Sequence, residues 1–429
     1  MSKPRAAVIG AGVAGLTAAY LLQRRYDVTL FEADQRLGGH AHTHELATVD
    51  GGIAYVDSGF IVHNTRTYPN LLRLFGELGV ATQDSEMSMS VRCDGCGLEY
   101  AGARKLAGLF PTEGGPFTRP NLARPRYLRM LAEVPRFHAH ARRVLTSPAG
   151  QGDDSLTLRE FLVAGRYSRY FVDHFMLPVV SCVWSSGARL SAQYPARYLF
   201  QFLDHHGLLS IGGSPTWRTV SGGSQRYVEQ VVKELSAVMV STPVRALTRH
   251  GSGVQIRDDA DARHEADVVV VATHPDQALR LLAEPTPAER TVLGAIPYSR
   301  NETWLHHDTS VLPRTPGARA SWNYRKARCT GDDSPVLVSY DMNRLQALAE
   351  PADYVVTLNG AGAVDPKQVI ARMVYEHPVY TPTSVAAQRR LPELNTATTA
   401  FAGAYHGWGF HEDGCASGVR AAAALGVSW

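Results

Sequence analysis

The unbroken apolar run Ala6-Ala-Val-Ile9 predicts a parallel strand buried on both faces. A glycine-rich turn follows, and Leu16 to Arg25 then has the Ala/Leu content and spacing of a helix. Asp27-Val-Thr-Leu-Phe31 predicts a second strand. Tyr68 to Gly79 is amphipathic at helical spacing and is closed by Gly79. From about Gln83 to Ser214 the pattern changes to hairpins and long helices with interspersed prolines. Within that stretch Asp94-Gly95 is a favoured two-residue hairpin turn between two strand-like flanks. Further on, His264 to Thr273 (HEADVVVVAT) reads as one buried parallel strand running into His274, a plausible cap before a helix.

A chain of 429 residues is too long for one small core, so two domains are expected. The composition is that of a globular protein, 45% apolar and 19% charged. A net charge of +3 without blocks of like charge gives no basis for a nucleic-acid partner. The arginines between 119 and 143 alternate with Leu, Phe and Pro, the pattern of a solvated helical face. No run approaches the roughly 20 apolar residues of a membrane span, and the first residues lack the pattern of an export signal. With five cysteines and no signal, a reduced, cytoplasmic protein is expected. Cys93 and Cys96 form a lone CxxC flanking the predicted turn; with no second pair in range, no metal is expected.

Gly10-Ala-Gly12-Val13-Ala14-Gly15 lies between the first strand and the first helix, and the second strand ends in Glu32. Strand, glycine turn, helix, strand and acid in that order form the dinucleotide-binding pattern. Gly10 permits the sharp turn, Gly12 lets the backbone approach a pyrophosphate, and Gly15 allows close helix–strand contact. Glu32 stands where an acid accepts hydrogen bonds from the adenosine ribose, and its charge disfavours a 2′-phosphate. His40, His42 and His44 alternate on an expected strand, which would set three imidazoles on one face.

The continuation Glu32-Ala33-Asp-Gln-Arg36-Leu-Gly38-Gly39-His40 resembles the second glycine pair of the flavin amine oxidase and phytoene desaturase superfamily. His40 stands where that family usually has Arg. Asp57-Ser58-Gly59-Phe60 resembles the family segment that passes the isoalloxazine ring, and Trp217 to Gln225 its Gly-Gly turn. Val244 matches a strand whose backbone touches adenine, and Ala272, within the buried strand, is a further candidate cofactor contact. Phe401 to Gly418 resembles the family's flavin-contacting ending, through Gly403, Asp413, Gly414, Ala416, Ser417 and Gly418. Ala404 replaces the usual ribityl-binding Asp. The resemblance implies non-covalently bound FAD, with a helix start beneath the flavin pyrimidine. It also implies an α/β fold: a Rossmann-like FAD-binding domain of the glutathione-reductase type, with an inserted α+β substrate domain of mixed sheet and helices. The expected FAD-binding parts are 1–82, 215–292 and 386–429, and the substrate parts are 83–214 and 293–385.

Amine-oxidising members usually carry a Lys near flavin N5; the corresponding stretch Pro297 to Asp308 has none. Tyr405, Trp408 and Phe410 offer aromatic rings in an unusual pattern. The motifs look instead like a bacterial FAD/NAD-binding subgroup associated with fatty-acid modification. That resemblance implies desaturation, oxidation or isomerisation of an acyl chain, with His411, Glu412 or His63 as candidate base. The expected partner is a small-molecule or lipid acyl substrate, with membrane contact, if any, only peripheral. An amine or amino-acid oxidase releasing hydrogen peroxide, and a flavin-binding protein without turnover, are the alternatives. The oligomeric state is left open.

Overall fold

The structure is a computed structural model that describes residues 3–102, 109–111, 120–147, 155–210, 214–330 and 335–429. At its centre is a five-stranded parallel sheet built from β1 (Arg5–Ile9), β2 (Asp27–Phe31), β3 (Ala237–Met239), β4 (Val268–Val271) and β5 (Thr399–Phe401). Their spatial order is β3-β2-β1-β4-β5. The order reverses between β1 and β4, and ligands of open α/β sheets bind at the carboxyl ends of the strands at such a switch point. Val268 to Val271 are all buried, as a strand covered on both faces requires.

Two helices cross beneath those strand ends: α1 (Val13–Leu22), which leaves β1, and α4 (His411–Ala424), which follows β5. Glycines set their separation. A Cβ at Gly418 would stand 2.4 Å from the Ala14 carbonyl oxygen, and one at Gly414 2.6 Å from Val13 Cγ1. Helix α2 (Pro69–Leu78) and α3 (Gln225–Glu234) complete this layer. Gly79 ends α2 in the left-handed region at φ 67°, the C-terminal signal read from the sequence.

The second body is a seven-stranded mixed sheet. Its order is 369–378, 298–306, 355–358, 337–341, 322–326, 89–93 and 98–102. Helices Pro125–Thr146, Leu158–Ala164, Leu177–Trp184 and Ala196–His205 share with it a core that includes Phe137, Phe161, Phe171 and Phe200. On the first of these, Arg126, Arg129, Arg136, Arg142 and Arg143 are exposed opposite buried Tyr127, Met130 and Phe137, the solvated face expected; residue 119 lies outside the described residues. Among the described residues no helix is long and apolar enough to cross a membrane.

Three local expectations change. HEADVVVVAT is two strands: Arg263–Ala266 belongs to an antiparallel sheet and β4 to the parallel one. Asp267 makes the break, its N–H and carboxylate both pairing with the backbone of Arg5. The Asp94–Gly95 hairpin has a four-residue turn, because Cys93 pairs with Leu98 and Gly97 N–H closes onto the Cys93 carbonyl. The strand after the glycine pair begins at Thr43, so of the three histidines only His44 is on it. His42 and His44 stack at 4.2 Å, while the His40 ring lies 4.9 Å from Tyr375.

Candidate cofactor and substrate site

Gly10 turns the chain at φ +97° out of β1, its N–H donating to the Phe31 carbonyl. A Cβ at Gly15 would meet the Gly10 carbonyl oxygen at 1.8 Å and the Ala272 side chain at 3.2 Å, so this corner admits only glycine. Gly12 faces open space on its Cβ side, and no side chain caps α1, which leaves the helix start to an anion. Gly38 N–H donates to Ala11 O, and Gly39 lies against Gly12, so the two glycine turns form one cradle. Glu32 closes its end, accepting from Ala11 N–H at 2.7 Å and Asp34 N–H at 3.0 Å, with Ala33 exposed beside it. Val244 follows the 239–242 segment, where Thr242 N–H donates to the Glu32 carbonyl.

Arg36 is a brace. Its guanidinium donates to the carbonyls of Leu37, Gly39 and Ala41, holding the Gly38–Gly39 turn in shape. Asp57 is likewise structural. Its carboxylate accepts from Thr43, Ser224 and Gln346, tying the 43–57 ribbon to the start of α3 and to the second body. Burial raises its carboxyl to about 6 despite those donors. Ser58 bonds His44 and Tyr375, and Gly59 lies against the His40 carbonyl, where a Cβ would come within 2.2 Å.

This geometry fits FAD. The uncapped helix start and glycine cradle suit its diphosphate, and Glu32 its ribose. Farther along, the buried atoms His40 Nε2, His406 Nε2 and Tyr405 Oη have no protein partner, and a polar ligand would satisfy them. Gly403 N–H is held by Ser417 Oγ at 2.8 Å, which fixes the Gly403–Ala404 turn next to α4 although Ala404 carries no carboxylate.

Beside α4 opens a cavity of about 390 Å³, lined by Arg66, Tyr68, Pro69, His206, Trp408 and Phe410 together with Glu412 and Asp413. Asp413 is a half-buried carboxyl that desolvation pushes up to about 7, against hydrogen bonds from the Phe410 and Trp408 backbone. Glu412 accepts from the N–H groups of Asn70 and Leu71 and from the Asn70 side chain, so it caps α2. His411 stacks on Phe60 at 3.7 Å and shares a hydrogen bond with Tyr227, and burial lowers it to about 3. His63 is fully buried against Phe75 and Tyr68, lowered to about 4, with neither ring nitrogen partnered. Neither histidine lines the cavity. Of the three candidate bases only Glu412 lines it, engaged as a cap; Asp413, read from sequence as a cofactor contact, lines it too and accepts from Phe410 N–H at 2.9 Å at the start of α4. Arg66, Tyr68 and His206 carry no sequence signal; long-range folding alone brings them to this wall.

A family model for flavin containing amine oxidoreductase matches residues 13–426. The coproporphyrinogen III oxidase of Mycobacterium tuberculosis (strain ATCC 25618 / H37Rv) is 28% identical, with 93% of this chain and 92% of that protein covered. In fold the chain is similar to cyclohexylamine oxidase from Brevibacterium oxydans, with a TM-score of 0.68, 17% identity, and 99% and 98% of the two chains covered. It is also similar to a CLA-producing fatty acid isomerase from P. acnes, with a TM-score of 0.65, 16% identity and 97% of each chain covered.

Proposed function

Since the chain belongs to the flavin-containing amine oxidoreductase family and is an FAD-dependent oxidoreductase, we propose that it desaturates or isomerises an acyl chain held in the cavity beside Asp413. Bound FAD supplies the hydride-accepting chemistry. The carrying observation is a carboxyl poised near neutrality in the lining of an aromatic-walled cavity. Asp413 in its ionised form takes the proton from the carbon next to the one that loses hydride. Tyr68, Pro69, Trp408 and Phe410 keep water from the reacting carbons, and Arg66 suits a carboxylate head group. At about 390 Å³ the cavity is at the small end of small-molecule sites, so it takes a short acyl group or one arm of a longer chain. The strand Tyr298–His306, where amine-oxidising relatives would carry a lysine, has none.

Amine or amino-acid oxidation is the second reading: the aromatic walls suit an amine, and Arg66 would suit an amino acid's carboxylate. Anaerobic mixing with unsaturated fatty acids and with amines, followed by flavin bleaching and product mass spectrometry, separates the two. The acyl reading expects bleaching or a moved double bond with the fatty acid. An unchanged fatty acid alongside amine-dependent peroxide overturns it.

A further inference from the structure

Cys93 and Cys96 sit at the turn of the 89–93/98–102 hairpin, remote in sequence from every other cysteine and histidine. Folding brings two more donors to them. Cys329 arrives three residues after strand Trp322–Lys326, which pairs in parallel with 89–93. His174 comes from the wide-turned helical segment Val172–Met176. The four ligand atoms all lie within 4.8 Å of one another, a convergence of three thiols and an imidazole found once among the described residues.

The spacing is that of ligands around one ion. Cys93 and Cys329 sulfurs are 3.7 Å apart, and Cys96 Sγ lies 3.7 Å from His174 Nε2. A tetrahedron with metal–sulfur bonds of about 2.3 Å has edges of about 3.8 Å. A disulfide would need about 2.05 Å. The imidazole is also oriented for coordination. His174 Nδ1 lies 3.2 Å from the Tyr170 carbonyl, which can only accept. The proton therefore sits on Nδ1, and Nε2 turns its lone pair to the sulfurs, as ligating histidines are commonly held. The backbone amides of Cys96 and Leu98 face the sulfurs of Cys93 and Cys96. Arg124 clamps the turn through the Cys96 and Gly97 carbonyls. Gly95 presses on the Cys329 segment so closely that a Cβ would stand 2.8 Å from Cys329 N.

We propose that Cys93, Cys96, His174 and Cys329 bind one zinc ion in a closed, tetrahedral structural site. Three soft thiolates and one imidazole suit zinc, and four protein ligands leave no open position for catalysis. The ion would tie a hairpin, a sheet strand and a helix into one unit. That helix continues into Leu177–Trp184, whose Trp184 indole donates to the Trp408 carbonyl at the cavity wall. The sequence expectation of no metal arises because only one ligand pair is adjacent in the chain.

The full-length flavoprotein, purified without chelators, is assayed for metals by inductively coupled plasma mass spectrometry. About one zinc per chain is expected. Cys96→Ser and Cys329→Ser should each lose it while the flavin-to-protein ratio persists. Replacing zinc with cobalt(II) should give tetrahedral thiolate d–d bands to the red of flavin absorption, a readout independent of variant folding. No stoichiometric metal, with the thiols free to alkylate or Cys93 and Cys329 disulfide-linked, would overturn the site. A stoichiometric metal other than zinc would overturn the ion.

Discussion

At Asp413, burial and backbone hydrogen bonds oppose each other, and burial prevails, leaving the carboxyl near 7. If this group takes the substrate proton, kcat/KM rises with pH through about 7 as it ionises. Asp413→Asn should lower kcat/KM on the reactive substrate about a hundredfold or more and flatten that limb. A variant that keeps the wild-type pH profile removes Asp413 from the chemistry. Asp57 carries the same conflict without facing the cavity. Its folded value of about 6 lies above the ordinary carboxyl, so the folded protein holds a proton that the unfolded chain releases. The resulting stability is full below about pH 4 and is lost as pH rises through 6, up to about 3 kcal/mol. Thermal melts from pH 5 to 8 should show wild type losing ground to Asp57→Asn; parallel curves would refute this.

Among elements, the contact between α1 and α4 carries the cofactor half. Gly418→Ala must push its Cβ onto the Ala14 carbonyl, for a loss of about 1–3 kcal/mol and weaker flavin retention. Gly76→Ala, in α2 with nothing within 4 Å, should be neutral or stabilising by up to about 1 kcal/mol. Equal melting temperatures for the two variants would break the packing argument. Glu412→Gln tests the link between α4 and α2. Weakened capping should cost about 1 kcal/mol in a denaturant titration while kcat/KM stays within about threefold. A large kinetic loss at unchanged stability would instead make Glu412 the base.

The sequence made the cradle readable because Gly10, Gly12, Gly15, Glu32, Gly38 and Gly39 are close in the chain, and Gly10, Gly15, Gly38 and Gly39 each answer a local backbone demand. The cavity was hidden because Arg66, His206 and Asp413 meet only through tertiary packing. For Arg36 and Asp57 a motif names the residue without saying which way the side chain points: one turns to the carbonyls of Leu37, Gly39 and Ala41, the other to Thr43, Ser224 and Gln346. Asp267 breaks a strand that the apolar pattern alone makes continuous, since an exposed acid that bonds the Arg5 backbone through both its N–H and its carboxylate interrupts the buried apolar run.

For the whole molecule, FAD binds only the folded chain and so shifts the unfolding equilibrium, by about 3 kcal/mol at a hundred times Kd. Glu32→Ala removes the tie to Ala11 and the ribose partner. It should purify with less flavin per protein and melt at a temperature that climbs with added FAD. Undiminished flavin would sink the assignment of Glu32.

The parallel sheet is also a statement about time. Its central strand and glycine turn lie within the first 15 residues, yet β5 and the glycines of α4 lie beyond residue 398. At about 5–20 residues per second, a ribosome makes the second half of the cradle some 20–80 seconds after the first. For that interval the nascent chain holds β1 and α1 without the helix that covers them. FAD capture is therefore a late event of biogenesis, and chaperone demand should fall on the early strands rather than on the finished protein.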